Sequence, residues 1–450
     1  MIFLAVSSVL FISLLILNYP VSQSSIVSLF SLLPFFLFAF PFITLGFLLI
    51  VRPSLDYLSD TFYFFLPFGE GMTVTLAQGF GLGVVFLSLL FFLRFRKAFL
   101  SHTLSSFFLL LLSWGAFTLS YTIDTTQTMY ELFRLLSIFF VFSFSYYLIV
   151  NEKSFIKLLI IILVSCVIPV FTAWTQFVLG IGYTDDAFSV PRIYGTFAHP
   201  NIFALYLTIA IAAGSLLFLF IRKPLYKMFL GSTLFILLIT LFFTYSRAAW
   251  GTFFLFAILV IFYKYPKSLP FIIIFPLIVF FISSPVRDRV EDVLHFSQSS
   301  SLTWRINIWT DTISKTQEEG KILLGYGLNT FEEVAESLRG IRFVVNDPHS
   351  EFVRSFVEGG IIGLLVFLIF SLAPLIISWK QFHITSKEKL TSQDSRKKTV
   401  FFILWALLLS LFFLSFTDHV LRSTMVQWSL WALLGGALRV YVKPPSSLNE

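Results

Sequence analysis

Long apolar runs separated by short polar breaks make up almost the whole chain. Phe401 to Phe416, for example, contains no charged residue. A soluble helix shows an apolar stripe, whereas an unbroken apolar stretch of about 18–20 residues crosses a bilayer as a helix. Spans are therefore predicted near 1–18, 26–51, 76–93, 104–121, 131–150, 158–179, 201–221, 228–244, 249–263, 268–283, 360–378, 399–416 and 426–441. The pattern predicts an all-α polytopic membrane protein with about 12–13 transmembrane helices. Between Asp56 and Thr75 the Phe62–Phe68 cluster is too short to span, so a re-entrant piece or a short crossing is expected there.

One stretch breaks the pattern. Residues 284–359 form the only large hydrophilic segment, which divides the chain into a bundle at 1–283, this loop, and C-terminal helices with a tail at 360–450. Within the loop, Leu302 to Thr316 reads as a helix with Ser301 or Thr303 as its cap. Its apolar face carries Leu302, Ile306, Trp309 and Ile313. Gly325 and Gly327 mark a turn, Asn329 to Leu338 reads as a second short helix, and Asp347-Pro348 breaks the chain before His349.

Composition sharpens the class. Of 450 residues 57% are hydrophobic and only 12% charged, with 60 phenylalanines and a mean hydropathy of +0.90. A soluble domain carries about 25% charged residues, so that class is excluded. The net charge of +7 is not a nucleic-acid footprint, because it sorts by loop. One alternating set holds Arg222, Lys223, Lys227, Lys264, Lys267, Lys380, Lys387, Lys389, Arg396, Lys397 and Lys398. From residue 180 onward the short loops of the other set hold only Arg192, Arg247 and Arg422. The first set is expected in the cytoplasm, and 284–359 on the outer face. Cys166 is the only cysteine, so no intrachain disulfide or thiolate metal cluster can form. Met1 to Asn18 lacks a basic start and a small-residue cleavage site, and reads as a retained span.

Candidate chemistry lies among the ionisable groups of the outer side: Arg192, His199, Arg247, Arg305, His349, Asp418, His419 and Arg422. Arg247 sits in Thr244-Tyr245-Ser246-Arg247-Ala248-Ala249-Trp250, a hinge of almost no length where the positive-inside bias disfavours arginine. It either snorkels to headgroup phosphates or grips a substrate phosphate bidentately. Arg305 lies four residues before Trp309 on the expected helix, so a cation–π pair competes with phosphate binding. Asn201 is positioned to cap the helix that follows it, and His199 is either a loop histidine or a substrate contact. His349 is the histidine best placed to take a proton from a hydroxyl near neutral pH. Metal binding together with Asp347 or Glu351 is an alternative role, although the spacing matches no strong metal-ligand pattern.

The order of these pieces carries a resemblance. Gly195-Thr196-Phe197 with Pro200-Asn201 comes first, then Ser246-Arg247-Ala248 and Arg305 with Trp309. Gly325-Tyr326-Gly327 with Phe331, His349 and Glu358-Gly359-Gly360 follow. In this order the chain resembles the O-antigen ligase and polymerase superfamily of bacterial envelope enzymes, over roughly residues 185–375. The resemblance implies a GT-C-like fold and a multi-pass location in the cytoplasmic membrane, with the active site on the extracytoplasmic face. It implies transfer of a glycan from a polyprenyl diphosphate carrier to a hydroxyl on a lipid or cell-envelope acceptor, with no cofactor or metal. By motif, the catalytic residues fall on His349, Arg247 and Arg305. Arg192, His199, Asn201 and Trp309 are the expected substrate contacts. Membrane lipids are the other expected partners, and nucleic acid is not. A repeat polymerase with the same donor chemistry is the sibling reading. A flippase for lipid-linked sugars is disfavoured, because mid-span positions are nearly free of charge.

Overall fold

A computed structural model describes residues 40–59, 63–65, 73–100, 102–185, 188–282, 284, 287, 301–339, 347–385 and 392–442. The expected span at 1–18 and the first part of that at 26–51 lie outside these residues. Each expected span from 76–93 onward falls on a helix. In chain order the helices are α1 Pro41–Ser59, α2 Leu76–Leu100, α3 Thr103–Thr118, α4 Thr125–Leu148, α5 Glu152–Val164 and α6 Val167–Leu179. Then come α7 Pro200–Phe218, α8 Pro224–Phe243, α9 Arg247–Lys264 and α10 Leu269–Ile282. The loop contributes α11 Ser301–Glu318 and α12 Phe331–Arg339. The chain closes with α13 Glu351–Thr385, α14 Ser392–Leu414 and α15 Thr424–Tyr441. Among the described residues, seven helical stretches are long and apolar enough to cross a membrane, α5 and α6 together forming one of them. The protein is an all-α polytopic membrane protein.

Two boundaries differ from the sequence reading. The interruption near 56–75 contains a short antiparallel ladder, β1 Tyr63–Phe65 against β2 Thr73–Thr75. The span expected from 360 begins at Glu351, because its first two turns bury charged side chains that hydropathy counts as loop.

The core sits where α4 and α15 pack side by side and α3 and α13 close over them. Phe108 meets the Trp431 ring edge-on at 4.6 Å and stacks on Phe142 at 5.5 Å, while Phe370 lies 5.3 Å from Trp431. Offset and edge-on arrangements of this kind each add about 0.5–1.5 kcal/mol beyond area burial. Two buried polar pairs link the helices here: Trp428 Nε1 donates to Ser137 Oγ (3.1 Å), and Ser145 Oγ donates to Ala432 O (2.7 Å). In a bilayer no water competes for them.

Successive spans alternate in direction, so the breaks at 119–124, 180–185, 188–199, 244–246, 319–339, 347–350 and 415–423 gather at one end. Tyr121 Oη donates to Leu324 O (2.7 Å), and Arg305 Nη1 donates to Thr417 O (2.9 Å), tying the loop to that end. The loop has its own small core of Ile308, Tyr326, Phe331, Val334, Ala335 and Val357.

Backbone geometry explains the two glycine motifs. Helix α13 breaks at Gly360, whose φ is +61°. The segment before Tyr326 lies directly against this break: Ile361 N donates to Ile322 O (2.8 Å), Tyr326 N to Val357 O (3.1 Å) and Gly327 N to Glu358 O (2.8 Å). A Cβ at Gly360 would sit 2.3 Å from Leu323 C and O, and one at Gly325 (φ +69°) 2.4 Å from Glu358 C. Only glycine permits both the left-handed conformation and this approach.

Candidate active site

His349 stands in the turn between Pro348 and α13, at a φ of +46° that is uncommon for a residue with a side chain. Two bonds over-determine that turn. The Asp347 carboxylate accepts the His349 backbone N–H (2.8 Å), and the Trp309 indole donates to Pro348 O (2.6 Å). Trp309 therefore holds the His349 turn from α11, and the expected Arg305–Trp309 face is divided, since Arg305 reaches Thr417 O instead. The imidazole of His349 lies 6.3 Å from Trp304 and 5.5 Å from the ring of His419.

The second wall comes from 415–423. Asp418 Oδ1 is 3.7 Å from His349 Nδ1. Burial pushes the Asp418 carboxyl up, but His349 and the His419 backbone N–H outweigh it and hold the group below the usual carboxylate range. His419 donates through Nε2 to Asp347. Burial, and then the charge of Arg354, push the His419 pKa well down, so this ring is neutral. Burial raises the Asp347 carboxyl, and Arg354, His349 and Arg422 more than reverse that rise. Arg422 bridges Asp347 (3.2 Å), Asn329 Oδ1 (2.9 Å) and Glu332.

The third wall is built by α7 and the strand pair β3 Tyr183–Asp185 and β4 Phe188–Arg192. The cap of α7 is a correction to the sequence reading. His199 Nδ1, not Asn201, accepts the capping bond, from Asn201 N (3.1 Å), with Pro200 in the first turn. Asn201 is freed to bridge: its Oδ1 accepts from Arg192 Nη2 (2.7 Å), and its Nδ2 donates to Asp418 Oδ2 (3.1 Å). Arg192 is buried and also donates through Nε to Thr244 O (2.9 Å), bracing the turn that carries Arg247. Tyr245 in that turn has φ +50°, and Ser246 caps α9 so that Arg247 is its first residue.

These walls enclose a cavity of about 540 Å³ that includes Tyr130, Glu131, Tyr183, His199, Asn201, Asn329, His349, Asp418, His419 and Arg422 in its lining. His199, Asn201 and His349 thus share one cavity. Of the expected site residues, Arg192, Arg247, Arg305 and Trp309 are not in its lining, and Arg305 donates to Thr417 O, next to Asp418 in the chain. Burial lowers the Arg305 pKa, Asp418 opposes that, and Arg247 is near enough to add to it.

Asp347, His349 and His419 each offer one ligand-type atom within 4.8 Å of the others. Their chemistry suits a divalent cation, and the two imidazole planes are 27° from parallel. The same histidines form two His–Asp pairs, His419 with Asp347 and His349 with Asp418.

Sequence reasoning noted Asp418, His419 and Arg422 only as ionisable groups, and passed over Tyr130, Tyr183 and Asn329. The available signal was three ionisable residues within five positions of one short break, 418–422. Nothing in the sequence pairs Tyr183 with His199, whose rings meet at 4.8 Å.

Residues 232–368, from within α8 through α9, the loop and the first half of α13, match the O-antigen ligase family model. No curated protein matches the chain.

Proposed function

Starting from membership of the O-antigen ligase superfamily of glycan-transferring membrane enzymes, we propose that this protein is a glycan ligase. It takes the glycan from a polyprenyl diphosphate carrier and transfers it to a hydroxyl of a lipid or envelope acceptor. The chemistry takes place at the extracytoplasmic face of the cytoplasmic membrane. The observation that carries the reading is the 3.7 Å approach of Asp418 to His349 Nδ1 on the wall of a cavity of about 540 Å³.

The roles follow from that arrangement. With Nδ1 3.7 Å from the Asp418 carboxylate, Nε2 of His349 is the nitrogen left to accept the acceptor hydroxyl proton. The acceptor oxygen then bonds to the anomeric carbon, and the carbon–oxygen bond to the carrier breaks. The polyprenyl diphosphate departs with the electron pair, and Arg247 and Arg305 stabilise the charge it gathers. Asp418 stabilises the imidazolium and is itself held in place by Asn201. Arg192 and His199 shape the opposite wall.

The test uses the full chain in nanodiscs with a polyprenyl-diphosphate-linked oligosaccharide, measuring donor affinity and turnover separately. His349→Ala is expected to lower turnover by roughly 10²–10⁴-fold with little change in donor affinity. If the variant instead loses donor affinity and keeps its per-complex rate, His349 is a substrate contact and the base lies elsewhere. Cysteine labelling of intact cells is expected to reach residues 300–339 and to miss 392–398. The reverse pattern would overturn the orientation and the mechanism with it.

A further inference from the structure

Behind the site, five side chains form a closed circuit. Arg354 Nη2 lies 3.5 Å from Asp347 Oδ2. Asp347 accepts from Arg422 (3.2 Å), and Arg422 Nη2 donates to Asn329 Oδ1 (2.9 Å). The backbone N–H of Asn329 donates to Glu358 Oε2 (2.8 Å), and Glu358 Oε1 returns to Arg354 Nη1 (3.5 Å). Arg354 and Glu358 lie one turn apart on α13 and are both nearly buried, at 5% and 4% exposure. The circuit is charge-neutral, with two arginines and two carboxylates.

We propose that Arg354 is a positioning residue: it closes this circuit and thereby fixes His349 relative to Asp418 and to the loop. The proposal rests on the reading of His349 as the base. Three independent segments meet in the circuit. Asp347 carries the backbone N–H of His349 and the ring N–H of His419. Glu358 caps α12, accepting also from Phe331 N (3.3 Å), so the loop helix is fastened to α13 through a carboxylate. Arg422 belongs to the break that carries Asp418. Direct bonds also join the segments, such as Leu421 N to Glu351 (2.7 Å) and Gly327 N to Glu358 O (2.8 Å), but Arg354 reaches both carboxylates of the circuit, Asp347 and Glu358.

The energetics make Arg354 the sensitive member. A buried cation with two carboxylate partners is costly to place, and its removal leaves two buried carboxylates facing one arginine. The Arg354 guanidinium also lies over the Phe331 ring at 5.8 Å, which anchors it against the loop core. An opened circuit would let the His349 turn relax from its left-handed conformation. A displacement of about 1 Å there is worth roughly 10²-fold in rate.

The experiment uses the full-length protein in nanodiscs with a polyprenyl-diphosphate-linked oligosaccharide. Arg354→Gln is expected to lower kcat by about 10²-fold while donor affinity stays within about threefold. Arg354→Lys, which keeps the charge, is expected to recover part of that loss. The double variant Arg354→Gln with Glu358→Gln restores neutrality and keeps an acceptor for the α12 cap. It should regain the wild-type melting temperature without regaining kcat. Recovery of both together would reduce Arg354 to a stabilising role and overturn the proposal, as would an unchanged kcat in Arg354→Gln. Hydrogen exchange without substrate separates this from the function itself: residues 326–331 and 347–353 should lose protection together in Arg354→Gln. If wild type fails to transfer from the probe yet this joint loss appears, the ligase reading falls and the circuit stands. If the two segments respond independently, the circuit falls whatever the activity.

Discussion

Helix α4 runs through two very different environments. Along its middle, Phe139 to Phe144 are all nearly or fully buried and meet neighbours as rings on rings, such as Phe108 stacked on Phe139 at 5.0 Å. Two turns nearer its start, Glu131 and Arg134 pair with each other, and Arg134 reaches Leu421 O on the break that carries Asp418. Dispersion and area burial are spread over dozens of weak contacts, so the middle tolerates exchange among side chains of similar volume. At the site end each buried charge relies on one or two named partners, and deleting one strands the other. The same helices therefore serve as a forgiving frame in the middle and an exacting one at the end.

Substitutions should expose that contrast, beginning with the largest effect. Arg247→Ala or Arg305→Ala is expected to reduce transfer by roughly 10²–10³-fold, the usual worth of one charge-stabilising group. Expression and membrane insertion should be intact, since a neutral residue is easier to place there. Lysine at either position should rescue poorly, because a point charge lacks the planar fork. Full activity in the alanine variants would leave both arginines as headgroup contacts. Next comes the backbone clamp. Gly360→Ala should cost roughly 1–3 kcal/mol in strain, and the contact with Leu323 should add a similar amount. The loss would be read as a lower melting temperature with early loss of protection over 322–328. An unchanged melt would mean that the loop and α13 are not locked together.

A smaller effect separates the two regions by pH. His419 is neutral in the folded protein, with its pKa below the unfolded value of about 6.5. As pH falls, the unfolded chain takes up this proton first. The contribution to stability is therefore complete above about pH 6.5 and is lost as pH falls toward the folded value. Asp347 and Asp418 act in the same direction at lower pH, below about 3.9. Thermal unfolding in nanodiscs should weaken between pH 7.5 and 5, and His419→Gln should flatten that slope. An equal slope in both proteins would place the titration elsewhere. The smallest effect belongs to the middle: Phe142→Leu should cost less than about 1.5 kcal/mol and leave transfer unchanged. A large loss of transfer from this single change would erase the distinction between the regions.

Much of the frame was legible because hydropathy is a local property. The apolar runs from 76–93 onward became helices, and the loop helices at 301–318 and 331–339 lie within a few residues of the expected bounds, although α11 buries Ile308, Thr312 and Thr316 and leaves Ile306 of the expected apolar face exposed. The start of α13 was misjudged by nine residues, at Glu351 instead of 360. Buried Glu351, Arg354 and Glu358 look like loop until their partners are known. Asn201 was read as a helix cap for a related reason. Any residue of its type at that place can cap, and only the neighbouring Asp418, 217 positions away, draws its amide elsewhere.

The sequence by itself determined that this chain lives in a membrane as a bundle of helices. It also determined that its ionisable groups, His349 among them, collect at the breaks. Those conclusions need only the cost of placing polar groups in hydrocarbon, which each segment meets on its own. Only the tertiary structure decided which of those groups face one another: His349 with Asp418, Asn201 between Arg192 and Asp418, and Arg354 with both Asp347 and Glu358. Electrostatic and hydrogen-bonding interactions act over a few ångströms of space. The pairs they select lie anywhere from one helical turn to 217 residues apart in the chain, so no local pattern marks them.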